Sequence, residues 1–337
     1  MTEAELDELL STPRAETVEA LRHSPGDVVV LGAGGKMGPT VARMAARAAN
    51  QVGDGRRVFA VSRFGASEVA RALRAAGVET IVCDLLDREA VAGLPDVPNV
   101  IFMAGQKFGT SDAPANTWAM NTMVPAICAE RFRGARIVAF STGNVYPLTP
   151  VTAGGARETD TVGPVGEYAS SALGRERVLE FYSARNRTPI AIIRLNYAID
   201  LRYGVLADIA LRIWRGEPVP LAMGHVNVIW QGDASRIAIE ALAQAATPPF
   251  VVNVTGTETL AVRDIARALG DALEKPVRFK GKERDDALLS NTDRMRSTFP
   301  APDVSLDTMV RWIADWIRDD RPLLGKPTHF EERSGKF

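Results

Sequence analysis

From residue 27 the chain alternates between two patterns. Short, almost wholly apolar runs rich in Val and Ile stand at DVVVLG (27–32), RVFAVS (57–62), ETIVC (79–83), NVIFMAG (99–105), ARIVAFS (135–141) and PIAIIRLN (189–196). Runs this short, apolar at consecutive positions, predict strands buried on both faces, as in a parallel sheet covered by helices. Segments at about 66–77, 115–132 and 167–186 carry helical spacing, and after the first run Met37, Val41, Met44, Ala45 and Ala48 share one helical face. The alternation predicts an α/β fold, a Rossmann-type doubly wound parallel sheet with a smaller mixed C-terminal substrate lobe.

Before residue 27 two short helices are predicted. Thr2 and Glu5 form a capping box, and Thr12-Pro13 sets a cap before a first-turn proline. Beyond residue 200 the regularity ends. A helix near 205–215, a strand at 226–231, a helix at 233–246 and a strand at 250–254 are expected, with no internal repeat. The last strong helix is SLDTMVRWIADWIR, with Ser305 as its cap and Leu306, Met309, Val310, Ile313 and Ile317 on one face. The expected division is a helical extension at 1–26, a dinucleotide-binding domain at 27–200 that also takes up 228–254, and a substrate-binding lobe across most of 201–337.

Composition narrows the chemistry. The 337 residues are 46% hydrophobic and 24% charged, enough for a sizeable core, and 40 basic against 41 acidic residues leave a net charge of −1. Nothing there draws the chain to nucleic acid or to a membrane surface. Arg278, Lys280, Lys282 and Arg284 form the most basic stretch and read as a solvated loop. No apolar run approaches the roughly 20 residues that span a bilayer, and the acidic start lacks the form of a signal peptide, so a cytoplasmic protein is expected. Cys83 and Cys128 lie in apolar runs and read as buried free thiols. His23, His225 and His329 stand far apart without metal-ligand spacing, and no G-x-S-x-G elbow occurs, which argues against metal hydrolysis and Ser-His-Asp catalysis.

The candidate chemistry begins at VVVLGAGGKMG. Gly32, Gly35 and Gly38 stand where the first strand meets the first helix of the sheet, with Lys36 and Met37 between the last two. Such a turn lets backbone approach a pyrophosphate and rests the phosphates on a helix N-terminus, so a dinucleotide cofactor is expected. At the second strand end, where an NAD site carries an acid, stand Ser62 and Arg63. Arg63 favours NADP by pairing with a 2′-phosphate; the alternative is NAD, with Arg63 in solvent. Asp84, beside Leu85, either accepts from the adenine amino group or is an acid at a helix start.

These motifs, in this order, resemble the extended short-chain dehydrogenase/reductase family of NAD(P)-dependent sugar epimerases, dehydratases and reductases. The likeness covers roughly 27–320. It rests on the glycine turn, Asp84-Leu85, Ala104-Gly105, MNTMVPA around Asn121, STGNVYP at 141–147, the Tyr168 helix, RLNYAID at 194–200 and VIWQGDAS at 228–235. The resemblance implies Thr142 as the hydroxyl that bonds the substrate oxygen and Tyr168 as the general acid/base. It also places Asn121 at a kink of the central helix, where Pro125 independently predicts a bend because it has no N–H. A second lobe binding a sugar or nucleotide sugar is implied, as is a homodimer formed by pairing two long helices, with Ile127, Cys128, Val178, Leu179 and Tyr182 as candidate surface. Arg202, Tyr203, His225 and Asn227 are candidate pocket residues.

One position departs from the family. Four residues after Tyr168, where the pattern has a lysine, stands Ala172. That lysine lowers the tyrosine pKa, and a shift from about 10 to about 7 is worth roughly 4 kcal/mol, or about a thousandfold in rate. Three accounts stay open: another cation replaces it, the neutral tyrosine acts as a proton donor, or the site is a non-catalytic NADP-binding redox sensor. Lys107, just beyond the fourth strand, is the candidate replacement; its bland reading is an exposed loop lysine. Arg175 is expected to point along the helix exterior.

Overall fold

The computed structural model describes residues 1–65, 67–107, 109, 112–326 and 328–336. Its centre is a seven-stranded, wholly parallel sheet of β1 (Val28–Leu31), β2 (Val58–Ser62), β3 (Glu79–Val82), β4 (Asn99–Phe102), β5 (Arg136–Thr142), β6 (Ile190–Leu195) and β7 (Phe250–Val254). The order across the sheet is β7-β6-β5-β4-β1-β2-β3. The unbroken apolar runs follow from this. Val28 and Val30 point into one helical layer while Val29 and Leu31 point into the other. The run at 250–254 becomes the edge strand beside β6, which draws that segment back into the Rossmann layer.

Strand order reverses between β1 and β4, and the crevice at their carboxyl ends is where open α/β sheets bind ligands. Helix α3 (Gly38–Val52) leaves β1 there. The Tyr168 helix, Gly166–Asn186, runs beside β5. A second core gathers helices Val205–Trp214, Val262–Leu273 and Leu306–Arg318 around Trp230 and Met223, and Phe330 from the C-terminal tail joins it.

The N-terminal helices α1 (Glu3–Ser11) and α2 (Ala15–Arg22) are built into both cores. Leu6 and Leu10 enter the lobe, and Val18 and Leu21 pack on the sheet layer. Thr17 donates to Glu240 at 2.9 Å, and Arg14 reaches Asp233 at 3.0 Å. The capping box forms, Glu5 N–H donating to Thr2 at 3.2 Å and Thr2 N–H to Glu5 at 2.8 Å. Thr12 does not cap α2, however. Its hydroxyl turns back to the Glu8 carbonyl at 2.8 Å and closes α1, while Arg14 precedes α2 without a side-chain cap. The strand expected at 226–231 is two short ladders, His225–Val226 and Ile229–Trp230. Asn227 interrupts them by donating to the Glu258 carbonyl at 2.8 Å and accepting from Ser290 N–H at 2.9 Å. Cys83 and Cys128 are free and buried. Among the described residues no helix is long and apolar enough to cross a membrane.

Behind β5 lies a buried polar frame. Arg194 pairs with Glu176 at 2.7 Å, Ser141 donates to Glu176 at 2.5 Å, and Arg194 donates to the Tyr146 hydroxyl at 2.6 Å. Tyr146 donates its own proton to Asn253 at 2.9 Å, so the frame links β5, β6, β7 and the Tyr168 helix. Glu176 is fully buried, and losing one partner strands a charge away from water. We expect Arg194→Met to cost about 3–5 kcal/mol in urea unfolding, and adding Glu176→Leu to recover most of that loss.

Candidate functional site

The turn after β1 is shaped by what glycine lacks. Gly32 has φ +87, and a Cβ there would stand 2.6 Å from the Ala104 nitrogen at the end of β4. Gly35 N–H closes the turn on the Gly32 carbonyl at 3.1 Å, and a Cβ on Gly38 would meet Ala33 at 2.6 Å. No side chain caps α3, so its first N–H groups and its dipole face the crevice. This cradle fits a dinucleotide pyrophosphate, with the backbone around Lys36 and Met37 against it. Ser62 packs on Gly34, where a Cβ would be 2.5 Å from its hydroxyl, and Arg63 is exposed beside it.

The end of β3 is resolved further. Asp84 is exposed and accepts from Leu86 N–H at 3.0 Å, while Leu85 buries its side chain. The acid that caps the next helix is Asp87, accepting from Glu89 and Ala90 N–H at 2.9 and 3.1 Å. The helix-start reading of Asp84 therefore passes to Asp87.

The central helix bends as Pro125 requires. Pro114–Trp118 gives way to a π turn at Ala119–Met123 before Val124–Arg131 resumes. The fully buried Asn121 side chain at this turn uses all four of its hydrogen-bonding positions. Its Oδ1 accepts from Gln106 N–H at 2.9 Å and from Arg175 at 2.6 Å, and its Nδ2 donates to the Gln106 carbonyl at 3.0 Å and Ser171 at 2.9 Å.

Arg175 corrects the sequence expectation. It points inward, is 7% exposed, and donates to the Phe140 carbonyl at 2.7 Å as well as to Asn121. Positions 168, 172 and 175 share one helical face, so the guanidinium lies one turn beyond Ala172 on the side of Tyr168. Ala172 is buried against Val145, Tyr146 and Ala156. Gly105 makes the arrangement possible, since a Cβ there would sit 2.1 Å from an Arg175 nitrogen.

Tyr168 is half-buried and hydrogen-bonded to Thr142. Thr142, at the end of β5, is buried and its hydroxyl accepts from Asn144 N–H at 3.2 Å. Burial pushes the Tyr168 phenol above its usual value, and the Thr142 hydrogen bond and the Arg175 charge pull back against it. Lys107 lines the same cavity with its ammonium 5.8 Å from the Tyr168 ring centroid, and burial lowers it to about 8. It is not a solvated loop lysine.

Gly32, Lys36, Lys107, Thr142, Tyr168 and Tyr203 all line one cavity of about 420 Å³. Of the four expected pocket residues only Tyr203 reaches it. Arg202 is tied to Asp200 at 2.8 Å and Asp7 at 3.0 Å, His225 pairs with Ala261 in a short ladder, and Asn227 braces the lobe. Asn196 and Tyr197 both line the cavity, with Tyr197 at φ 43. Lys326 and Thr328 also line it, and no local pattern marks them, because the tail returns from far along the chain. The apolar surface assigned to helix pairing is largely core: Ile127, Cys128 and Leu179 are buried within the chain. The exposed apolar groups on those two helical stretches are instead Trp118, Met123 and Phe181.

A family model described as the NAD dependent epimerase/dehydratase family matches residues 28–222, more than half of the chain. No curated protein matches it in sequence. The dTDP-glucose 4,6-dehydratase DesIV of Streptomyces venezuelae, solved with NAD and TYD bound, is similar to it at 18% identity, covering 87% of this chain and 97% of that one with a TM-score of 0.74. Pal from Bacillus thuringiensis is 18% identical, covers 88% and 100% of the two chains, and has a TM-score of 0.72. The UDP-glucose 4-epimerase of Thermus thermophilus, in complex with NAD, is 21% identical over 87% and 99%, with a TM-score of 0.68. At these identities the likeness is one of fold.

The Arg175 arrangement has a spectroscopic consequence. Arg175→Met removes the charge that holds the Tyr168 phenol down, so its ultraviolet titration, isolated by subtracting a Tyr168→Phe background, moves further alkaline. Stability falls by about 1–3 kcal/mol from the loss of the charge-assisted bonds to the Asn121 and Phe140 oxygens. A Tyr168 titration that does not move in Arg175→Met shows that the guanidinium acts on packing alone.

Proposed function

The chain belongs to the NAD-dependent epimerase/dehydratase family, and from that premise we propose that it oxidises, reduces or epimerises a carbinol carbon of a sugar-like substrate. Thr142 and Tyr168 are the proton-handling pair, and Arg175 is the cation behind them. The observation that carries this reading is the hydrogen-bonded Thr142–Tyr168 pair in the cavity that the glycine turn opens, with a buried guanidinium on the same helix face.

Bound dinucleotide supplies the hydride acceptor or donor. The protein handles the proton. In oxidation Tyr168, as its phenolate, would take the carbinol O–H proton while Thr142 orients the oxygen, and in reduction the Tyr168 phenol would return it. Arg175, anchored by Asn121 and Phe140, stabilises the phenolate that forms in oxidation. Lys107 adds a second positive charge over the ring face.

A phenol held above its usual pKa is protonated at neutral pH. Tyr168 is then in the form that donates a proton, as the reductive step requires. Oxidation needs the phenolate and gains rate as pH rises. The same shift favours a second reading, a non-catalytic NADP-binding redox sensor, in which the hydroxyl only holds ribose or ligand. Arg63, exposed at the end of β2, supports NADP over NAD in either reading. Met123, Trp118 and Phe181 offer apolar surface for a homodimer.

Tyr168→Phe is expected to lower reductive turnover of a sugar-derived ketone about a hundred- to ten-thousandfold with cofactor affinity retained. In the wild type, oxidative kcat/KM climbs about tenfold per pH unit through about pH 9, whereas reduction stays flat. Turnover that survives Tyr168→Phe refutes the catalytic role, and cofactor binding without turnover in the wild type establishes the sensor. Arg63→Ala is expected to weaken NADP about tenfold and leave NAD nearly unchanged, read as two dissociation constants.

A further inference from the structure

The N-terminal helices precede the residues that match the family, which begin at 28, yet α1 reaches the seam behind the dinucleotide crevice. Its Asp7 carboxylate is shared between two guanidiniums. Oδ2 accepts from Arg43 of α3 at 2.6 Å, and Oδ1 accepts from Arg202 of the lobe at 3.0 Å. Among the described residues Arg43 pairs with no other carboxylate. Arg202 is also held by Asp200, which accepts from Nε at 3.1 Å and from Nη2 at 2.8 Å. Asp200 is buried, so this run of alternating charges leads from half-buried Asp7 into the interior.

Arg202 stands in a tight turn. Asp200 N–H donates to the Tyr203 carbonyl at 3.0 Å, and Tyr203 N–H donates to the Asp200 carbonyl at 3.2 Å. The turn presents Tyr203 to the cavity, where the Lys36 ammonium of the glycine turn lies 3.1 Å from its ring centroid. Gln231, buried at the cavity wall, spans the same seam from the inside. Its Nε2 donates to Thr40 Oγ1 in the first turn of α3 at 3.3 Å and to Asp200 Oδ2 at 3.4 Å. The lobe turn and the first helix of the dinucleotide fold are thus joined twice, by Gln231 at the wall and by Asp7 behind it.

We infer that Asp7 is a positioning residue for the dinucleotide: by bridging Arg43 and Arg202 it holds the Asp200–Tyr203 turn against α3, so that Tyr203 stays against the glycine turn. This rests on the dinucleotide site of the functional reading above and adds a determinant of its affinity. Like charges carry the effect. Arg43 and Arg202 approach the two oxygens of one carboxylate, and that carboxylate makes their closeness favourable. A neutral amide at position 7 leaves two cations facing each other, and their repulsion pushes the lobe turn off α3. An exposed ion pair lost by itself would matter little, but here the loss also creates a repulsion. Glu8, one residue on, is the built-in control. It pairs with Arg47, also on α3, and among the described residues Arg47 bonds to Glu8 alone and not to the lobe turn.

The test compares Asp7→Asn, Glu8→Gln and the double variant Asp7→Asn/Arg43→Gln with the wild type, each as the full chain. Calorimetric titration with NADP and with NAD gives the affinities, and amide hydrogen exchange reads the Asp200–Tyr203 turn. Asp7→Asn is expected to weaken the tighter-binding dinucleotide about five- to tenfold and to speed exchange in the turn about tenfold. Removing the second cation in Asp7→Asn/Arg43→Gln recovers most of the affinity, and Glu8→Gln leaves it unchanged. Unaltered affinity in Asp7→Asn overturns the proposal, even where thermal stability falls. An equal loss in Glu8→Gln overturns it too, because α1 would then act only by general tightening. So does a double variant that binds no tighter than Asp7→Asn. The functional reading fails on a different measurement, turnover that survives Tyr168→Phe, which these variants leave untouched.

Discussion

A guanidinium buried behind a tyrosine is the constraint on which the site depends. Arg175 is nearly removed from water, and Asn121 and the Phe140 carbonyl meet its two terminal nitrogens at 2.6 and 2.7 Å, while its buried Nε has no hydrogen-bond partner among the described residues. Meeting them dictates much else. The central helix widens to a π turn where Asn121 is buried, β5 presents the Phe140 carbonyl within reach, and position 105 carries no Cβ. Position 172 carries a packed alanine, and the buried charge on this helix face stands one turn further along, at Arg175.

The second buried pair, Arg194 with Glu176, stands directly behind the first. Neighbours on one helix, Arg175 and Glu176 face different partners, one toward Asn121 and one toward β6. Together they fasten the Tyr168 helix to the sheet through charge-assisted bonds, which are costly to break singly. Such a frame holds Thr142 and Tyr168 in register, because Ser141, next to Thr142, is itself bonded to Glu176. Preorganisation of this kind keeps a hydroxyl pair in place without relying on loops.

Around this rigid base the second lobe is assembled from distant pieces. Helix α1 lends Leu6 and Leu10 to it, and the tail lends Phe330. Both chain ends thus lock onto the lobe, and the cavity between lobe and sheet inherits its walls from residues as far apart as Lys36 and Thr328.

Periodicity and the glycine spacing determined by themselves the parallel sheet, the strand-to-helix turn and the capping box, since each depends on local sterics or on two-sided burial that apolar runs record directly. The bend at Pro125 was legible for the same reason, a missing N–H. Thr12 misled because a hydroxyl can serve the helix behind it as readily as the one ahead, and Asp84 because a second acid stood three residues on. Only the tertiary structure decided which way Arg175 turns, that the helix-pairing residues Ile127, Cys128 and Leu179 are core, and that Lys326 reaches the cavity. Those outcomes turn on which groups meet across long separations in the chain, and helical spacing alone cannot tell an inward arginine from an outward one.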